Sequence, residues 1–70
     1  MYELKLTSKE FKKLLKDKQK KQKEIANIVG IDEGYMSQIT NGRAISKLCA
    51  YAICKAISND LETQDLFNKF

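Results

Sequence analysis

The sequence predicts an all-α fold, a compact bundle of about five short helices with a short extended arm before the first. The 70 residues include no proline and only 3 glycines, so few positions would break a helix. Apolar residues recur at the three- and four-residue spacing of amphipathic helices. Serine, threonine or aspartate stands where most of these segments begin, as helix caps do. We expect a single domain over residues 1–70.

The N-terminal segment combines the extended arm with the first helix. Apolar and charged residues alternate at the start of the chain, where the apolar ones are Tyr2, Leu4 and Leu6. Thr7 and Glu10 then have the spacing of a capping box, which predicts a helix over residues 8–17. The buried stripe of this helix would consist of Phe11, Leu14 and Leu15.

Two further helices follow in the middle of the chain. Residues 22–29 predict the second helix, whose apolar positions are Ile25, Ile28 and Val29. Gly30 would end it, because glycine tolerates the left-handed conformation that follows many helices. Asp32 is a good N-cap for a third helix that runs to about Thr40, and the Asn-Gly pair after Thr40 stops it.

The C-terminal part predicts a fourth helix and a short final one. Ser46 would cap the fourth helix, whose apolar positions are Leu48, Cys49, Ala52, Ile53, Ala56 and Ile57. Asp60 would cap the final helix, which carries Leu61, Leu66 and Phe67. Together with Phe70, these three side chains would either close the core or form a dimer interface, so the sequence leaves the oligomeric state open.

The composition argues against an enzyme, and we expect no cofactor, no metal and no small-molecule substrate. The chain has no histidine, the usual zinc ligand and general base. Cys49 and Cys54 are five residues apart in a predicted helix, which suits neither a disulfide nor a metal pair, so we expect small core residues. Neither a membrane-spanning apolar run nor a signal peptide is evident, which predicts a cytoplasmic protein.

The positive charge is concentrated in one stretch. The formal net charge is +4, and much of it comes from Lys12, Lys13, Lys16, Lys18, Lys20, Lys21 and Lys23. A dense lysine cluster favours an anionic partner such as DNA. The alternative is an ordinary solvated helix face.

Residues 22–41 have the pattern of a helix-turn-helix, with helices 2 and 3 packed across a tight turn. Such a packing requires a small residue at the crossing, a glycine in the turn and apolar side chains at fixed offsets. The seven positions that meet these requirements are Ile25, Ala26, Val29, Gly30, Ile31, Met36 and Ile39. The stretch resembles the helix-turn-helix of the lambda-repressor-like family of phage Cro and CI-type regulators. Gln22 and the Asn-Gly pair after helix 3 also match that family, and the resemblance covers about residues 11–67.

The resemblance implies a binding surface on helix 3. In that family the first turns of helix 3 enter the major groove of DNA. The matching positions here are Glu33, Gly34, Tyr35 and Gln38. We assign Asp32 and Met36 to the same partner- or DNA-binding face. Phosphate contacts would come from Lys21, Gln22, Asn41 and Arg43. Of the base-reading positions, Gln38 could pair with adenine, whereas Gly34 has no side chain to read a base.

The charge of helix 3 departs from what DNA binding requires. From Asp32 to Gly42 there are two acidic residues and no basic one. An acidic helix with Tyr35 and Met36 as anchors suits the basic surface of a repressor, and the chain also resembles the modulator-of-repression antirepressors of lactococcal phages. We therefore expect an antirepressor that binds a CI-type repressor and blocks its operator contact. The alternatives are a Cro-like repressor that binds operator DNA directly and, less favoured, an antitoxin.

Overall fold

The computed structural model describes all residues from Met1 to Phe70 and contains five helices and one small sheet. In chain order the elements are β1 Tyr2–Leu4, α1 Ser8–Asp17, α2 Gln22–Val29, α3 Glu33–Thr40, α4 Lys47–Ile57, α5 Thr63–Leu66 and β2 Phe67–Lys69. The predicted bundle of about five helices is confirmed. The chain is mostly helical, and the structure adds to the predicted all-α class one short antiparallel sheet formed by the two ends of the chain. None of the helices has the length and apolar character needed to cross a lipid bilayer.

The sheet joins the first and last residues of the chain. Strands β1 and β2 are antiparallel, and their register places Leu4 opposite Phe67, so that both side chains enter the core. Tyr2 extends the pairing by exchanging two backbone hydrogen bonds of 2.8 Å with Ile45. The predicted extended arm is therefore a strand of a sheet.

The last helix also ends earlier than predicted, because the residues after it pair with β1 as a strand. Phe67 belongs to β2, because its backbone follows the strand pairing with β1, and α5 ends at Leu66. Asp60 is not its cap; Glu62 is the N-cap, and its backbone N–H donates to Asp65 Oδ2 at 2.8 Å.

The caps of the first and fourth helices agree with the sequence prediction. The N–H of Glu10 donates to Thr7 Oγ1 at 3.1 Å, and the N–H of Thr7 donates to Glu10 Oε1 at 2.9 Å. The hydrogen bond from the Thr7 backbone N–H, together with one from the Thr7 side chain, lowers the pKa of the Glu10 carboxyl. The contribution of the ionised carboxylate to stability is therefore lost as the pH falls through that lowered pKa. At α4, the Ser46 hydroxyl accepts from the N–H of Cys49 at 3.3 Å.

A core of 14 buried apolar residues holds the helices and the sheet together. Its members are Leu4, Phe11, Leu15, Ile25, Ala26, Met36, Ile39, Ile45, Ala50, Ile53, Cys54, Ile57, Leu66 and Phe67. Burial of Leu66 and Phe67 means that this pair closes the core and is not a dimer surface. Among the apolar positions predicted for the second and fourth helices, two are exposed, since Ile28 is 62% exposed and Leu48 is 80% exposed.

The turn between α2 and α3 has the geometry that the sequence pattern requires. Gly30 adopts a left-handed φ of +85°, and the carbonyl of Ala26 accepts from the N–H groups of Gly30 at 2.8 Å and Ile31 at 3.0 Å. All the apolar residues of the pattern contact the core: four are fully buried, and Val29 and Ile31 are half-buried against them.

The buried end of the chain gives a stability prediction. We expect Phe67→Ala to lower the free energy of unfolding by about 3–5 kcal/mol, because Phe67 is 1% exposed and its removal leaves a cavity. Phe70→Ala is the matched control; Phe70 is 67% exposed, so the change should be within about 0.5 kcal/mol. Urea denaturation followed by circular dichroism measures both. Equal stabilities of the two variants would contradict the placement of Phe67 in the core.

Candidate functional site

The start of α3 carries a carboxylate held in one position. Asp32 is the N-cap, and its Oδ2 accepts from the backbone N–H of Gly34 at 2.8 Å. A Cβ on residue 34 would lie 2.8 Å from that same oxygen, so glycine allows the carboxylate to sit close to the helix. Gly34 thus has a structural role at a position that the sequence pattern had assigned to the binding face. Both residues are exposed.

Glu33 adds a second exposed carboxylate to this surface. It lies in the first turn of α3, where the helix dipole favours negative charge. Its side chain has no hydrogen-bond or salt-bridge partner, unlike Glu62, which pairs with Lys55 at 3.2 Å. We call Asp32 and Glu33 the acidic edge of α3.

Arg43, which follows the C-terminal end of α3, packs over the aromatic ring of Tyr35. The guanidinium carbon of Arg43 lies 4.8 Å from the centre of the Tyr35 ring, and Nη1 of Arg43 donates to Gln38 Oε1 at 2.6 Å. Paired hydrogen bonds from Gln38 to adenine would need that oxygen as an acceptor. The contact with Arg43 uses one of the two lone pairs of that oxygen, so it constrains the direction in which Gln38 could pair with a base. No pattern in the sequence indicated this cluster.

Met36 is not part of the exposed surface, which corrects its assignment as a binding residue. It is completely buried, because its side chain on α3 packs into the core. Its role as a scaffold residue remains. Tyr35 is half-buried and packs partly on the core, so only one side of its ring is available to a partner.

The residues expected to contact phosphates are not all free to do so. Gln22 is half-buried, and its Nε2 donates to Ser37 Oγ at 3.3 Å, which links α2 to α3. Its Oε1 is buried without a partner. The side chains of Lys21, Asn41 and Arg43 are exposed. The backbone N–H of Lys21 donates to Glu24 Oε1 at 3.2 Å, so glutamate helps to cap α2 where a serine or threonine is absent.

A basic groove runs between the end of α1 and the start of α2. Its volume is about 510 Å³, and we call it the lysine groove; its lining residues are Lys12, Leu15, Lys16, Gln19, Lys20, Lys21, Gln22 and Glu24. Gln19 turns the chain there with a φ of +57°. Of these lysines, Lys21 was predicted from the sequence as a phosphate contact. The others were noted only as members of a dense lysine cluster that favours an anionic partner. Lys13, in the same cluster, does not line the groove.

A second, apolar groove lies between α2 and α4. It has a volume of about 250 Å³, and its walls are formed by Val29, Ile31, Leu48, Cys49 and Ala52. We call it the apolar groove. Sequence reasoning missed it, because a helical period shows which residues share a face but not whether a neighbouring helix covers that face.

The two cysteines differ in their surroundings. Cys54 is fully buried, and burial raises the pKa of its thiol to about 11, with the nearby charge of Asp65 adding to the effect. Cys49 is half-buried beside the apolar groove, and burial raises its pKa as well. Both are free thiols. No three histidine, cysteine, aspartate or glutamate side chains come together where they could hold a metal ion.

Comparison of the chain with known protein families, characterised proteins and solved structures finds no match. The structure itself defines a small, mostly helical domain whose ends are closed by a two-stranded sheet. Its distinctive surfaces are the acidic edge of α3, the lysine groove and the apolar groove.

Proposed function

We propose that this chain is an antirepressor of a phage lytic–lysogenic switch. It would bind a CI-type repressor over the surface with which that repressor contacts its operator. The observation that carries the proposal is the acidic edge of α3, where one carboxylate is fixed by Gly34 and the other, on Glu33, has no partner within the chain.

The proposal starts from the arrangement of α2, the turn and α3. The left-handed Gly30 and the buried Ala26 are what a helix-turn-helix of the lambda-repressor-like type requires. In such a motif, the start of the third helix is the part presented to the partner. Here that part is negatively charged, so the charge of the partner decides whether it can bind there.

Charge disfavours DNA at the acidic edge. Bringing a carboxylate within about 4 Å of a phosphate costs about 1 kcal/mol even in water, and more where water is excluded. The operator-binding face of a repressor must be basic, because it neutralises phosphates. Asp32 and Glu33 would attract such a face and speed its association. Tyr35 and Arg43, stacked together, belong to the residue types enriched among binding hot spots.

Direct operator binding is the second candidate function, as a Cro-like repressor reading DNA through α3. It is favoured by the lysine groove, in which Lys12, Lys16, Lys20 and Lys21 converge. It is opposed by the acidic edge and by the engagement of Gln38 with Arg43.

The first test reverses one charge of the acidic edge. We expect Glu33→Lys to slow association with the CI-type repressor of the same genome by about tenfold, since interface charge acts mainly on the association rate. The same variant should bind duplex DNA more tightly than the wild type. Asp60→Lys, an equal charge change at an exposed residue away from α3, should leave both properties unchanged. Stopped-flow kinetics at two salt concentrations measure the rates; equal rates for the two variants would argue against the proposal.

The second test concerns the lysine groove. We expect weak, non-specific duplex binding by the wild type, with a steep dependence of log affinity on log salt. Replacing Lys12, Lys16 and Lys20 by glutamine should reduce that slope by about 2–3. Replacing Lys5, Lys9 and Lys13, which are exposed but do not line the groove, is the matched control and should change it much less.

The outcome of these titrations also separates the two candidates. Tight, sequence-specific binding of operator DNA by the wild-type chain alone, weakened by Gln38→Ala, would favour the Cro-like repressor over the antirepressor.

A further inference from the structure

We propose that the apolar groove between α2 and α4 is the second half of the partner-binding surface. In this arrangement it receives an aliphatic or aromatic side chain of a basic protein, and lysine or arginine residues beside that side chain pair with the acidic edge of α3. The inference rests on the proposed function and adds to it the place where the repressor is anchored.

The apolar groove is built to hold a side chain. Its five lining residues are all apolar or weakly polar, and the 250 Å³ volume is sufficient for one large side chain. Leu48 forms one wall and is 80% exposed, the highest exposure of any large apolar residue in the chain. In α2, Ile28 precedes the groove residue Val29 and is 62% exposed. A concentration of exposed apolar area on a small protein marks an interaction site more often than chance exposure does.

The apolar groove and the acidic edge meet at two consecutive residues of the turn between α2 and α3. Ile31 lines the groove, and Asp32 follows it directly, so their Cα atoms are about 3.8 Å apart. The carboxylate of Asp32 is held by the N–H of Gly34, and Ile31 is held by the carbonyl of Ala26. Charge and apolar surface are therefore placed side by side on rigid backbone, which is the apolar-centre and polar-rim arrangement of protein interfaces.

The chemistry of this combined surface favours a basic protein over the other occupants. DNA offers no apolar side chain for the groove, and its phosphates are repelled by Asp32 and Glu33. A stable dimer buries about 800 Å² on each copy, about a sixth of this chain's surface of 4578 Å², so the five-residue groove alone is too small for a second copy. Pairing the acidic edge with another copy's lysine groove would join two different surfaces and produce open chains of molecules.

The experiment measures how the full chain binds the purified CI-type repressor of the same genome. Leu48→Gln keeps the side chain's size and adds no charge, and α4 tolerates glutamine well. We expect it to weaken binding by about tenfold or more in isothermal titration calorimetry, as loss of a buried interface anchor does. Phe70→Gln is the matched control, because Phe70 is 67% exposed on the other end of the chain, and its affinity should equal that of the wild type. Circular dichroism verifies that both variants fold.

The native cysteines supply a second readout. Cys49 lies in the wall of the apolar groove, whereas Cys54 is fully buried. We expect saturating repressor to slow alkylation of Cys49 by iodoacetamide by about tenfold, as mass spectrometry of this chain's peptides would show. Cys54 should stay unreactive with and without the repressor, which tests that the domain remains folded.

The possible results separate the groove inference from the proposed function. If the wild type binds the repressor while Leu48→Gln binds equally well and Cys49 stays reactive, the groove inference is wrong and the proposed function stands. If the wild type does not bind the repressor at all, the proposed function fails and the inference fails with it. If the wild type sediments as a dimer and Leu48→Gln as a monomer of unchanged repressor affinity, a second copy occupies the groove, which also overturns the inference.

Discussion

The double hydrogen bond to the carbonyl of Ala26 sets the geometry on which the rest of the structure depends. That carbonyl accepts from Gly30 at 2.8 Å and from Ile31 at 3.0 Å, and it can do so only because Gly30 takes a φ of +85°, which L side chains rarely adopt. The turn ends α2, directs Ile31 towards α4 and brings Asp32 to the start of α3. The apolar groove and the acidic edge both include residues that lie within two positions of Gly30 in this turn.

The terminal sheet is the second constraint, and it explains how so short a chain encloses a core. A domain of this size buries a small fraction of its surface compared with larger ones, so each large side chain matters. Pairing of β1 with β2 brings Leu4 and Phe67 into contact with the helices, and Ile45 joins them through its bridge to Tyr2. The sheet thereby closes the core at the two ends of the chain.

Local signals made the first four helices predictable, whereas contacts between distant residues were not. The capping box of Thr7 and Glu10 and the caps at Asp32 and Ser46 act within a few residues, so the sequence alone reveals them. The pairing of Leu4 with Phe67 joins opposite ends of the chain, and a three-residue strand has too short a pattern to predict it. The acidic edge could be foreseen from composition. The helix-turn-helix pattern already indicated the burial of Met36, although Met36 was also assigned to the binding face. Exposure of Leu48 and the stacking of Arg43 on Tyr35 depend on how the helices are rotated against each other, which periodicity does not determine.

The proposed antirepressor function depends on whether the acidic edge binds a repressor or DNA. Competition between this chain and operator DNA for the repressor tests this most directly. Fluorescence anisotropy of a labelled operator, bound by the CI-type repressor of the same genome, would be recorded while this chain is added. The account predicts that anisotropy falls to the value of free DNA as the chain approaches equivalence with the repressor, and that the chain alone leaves the anisotropy of the operator nearly unchanged at the same concentration. An operator that stays bound by the repressor throughout, or that is bound tightly and specifically by the chain alone, would contradict it.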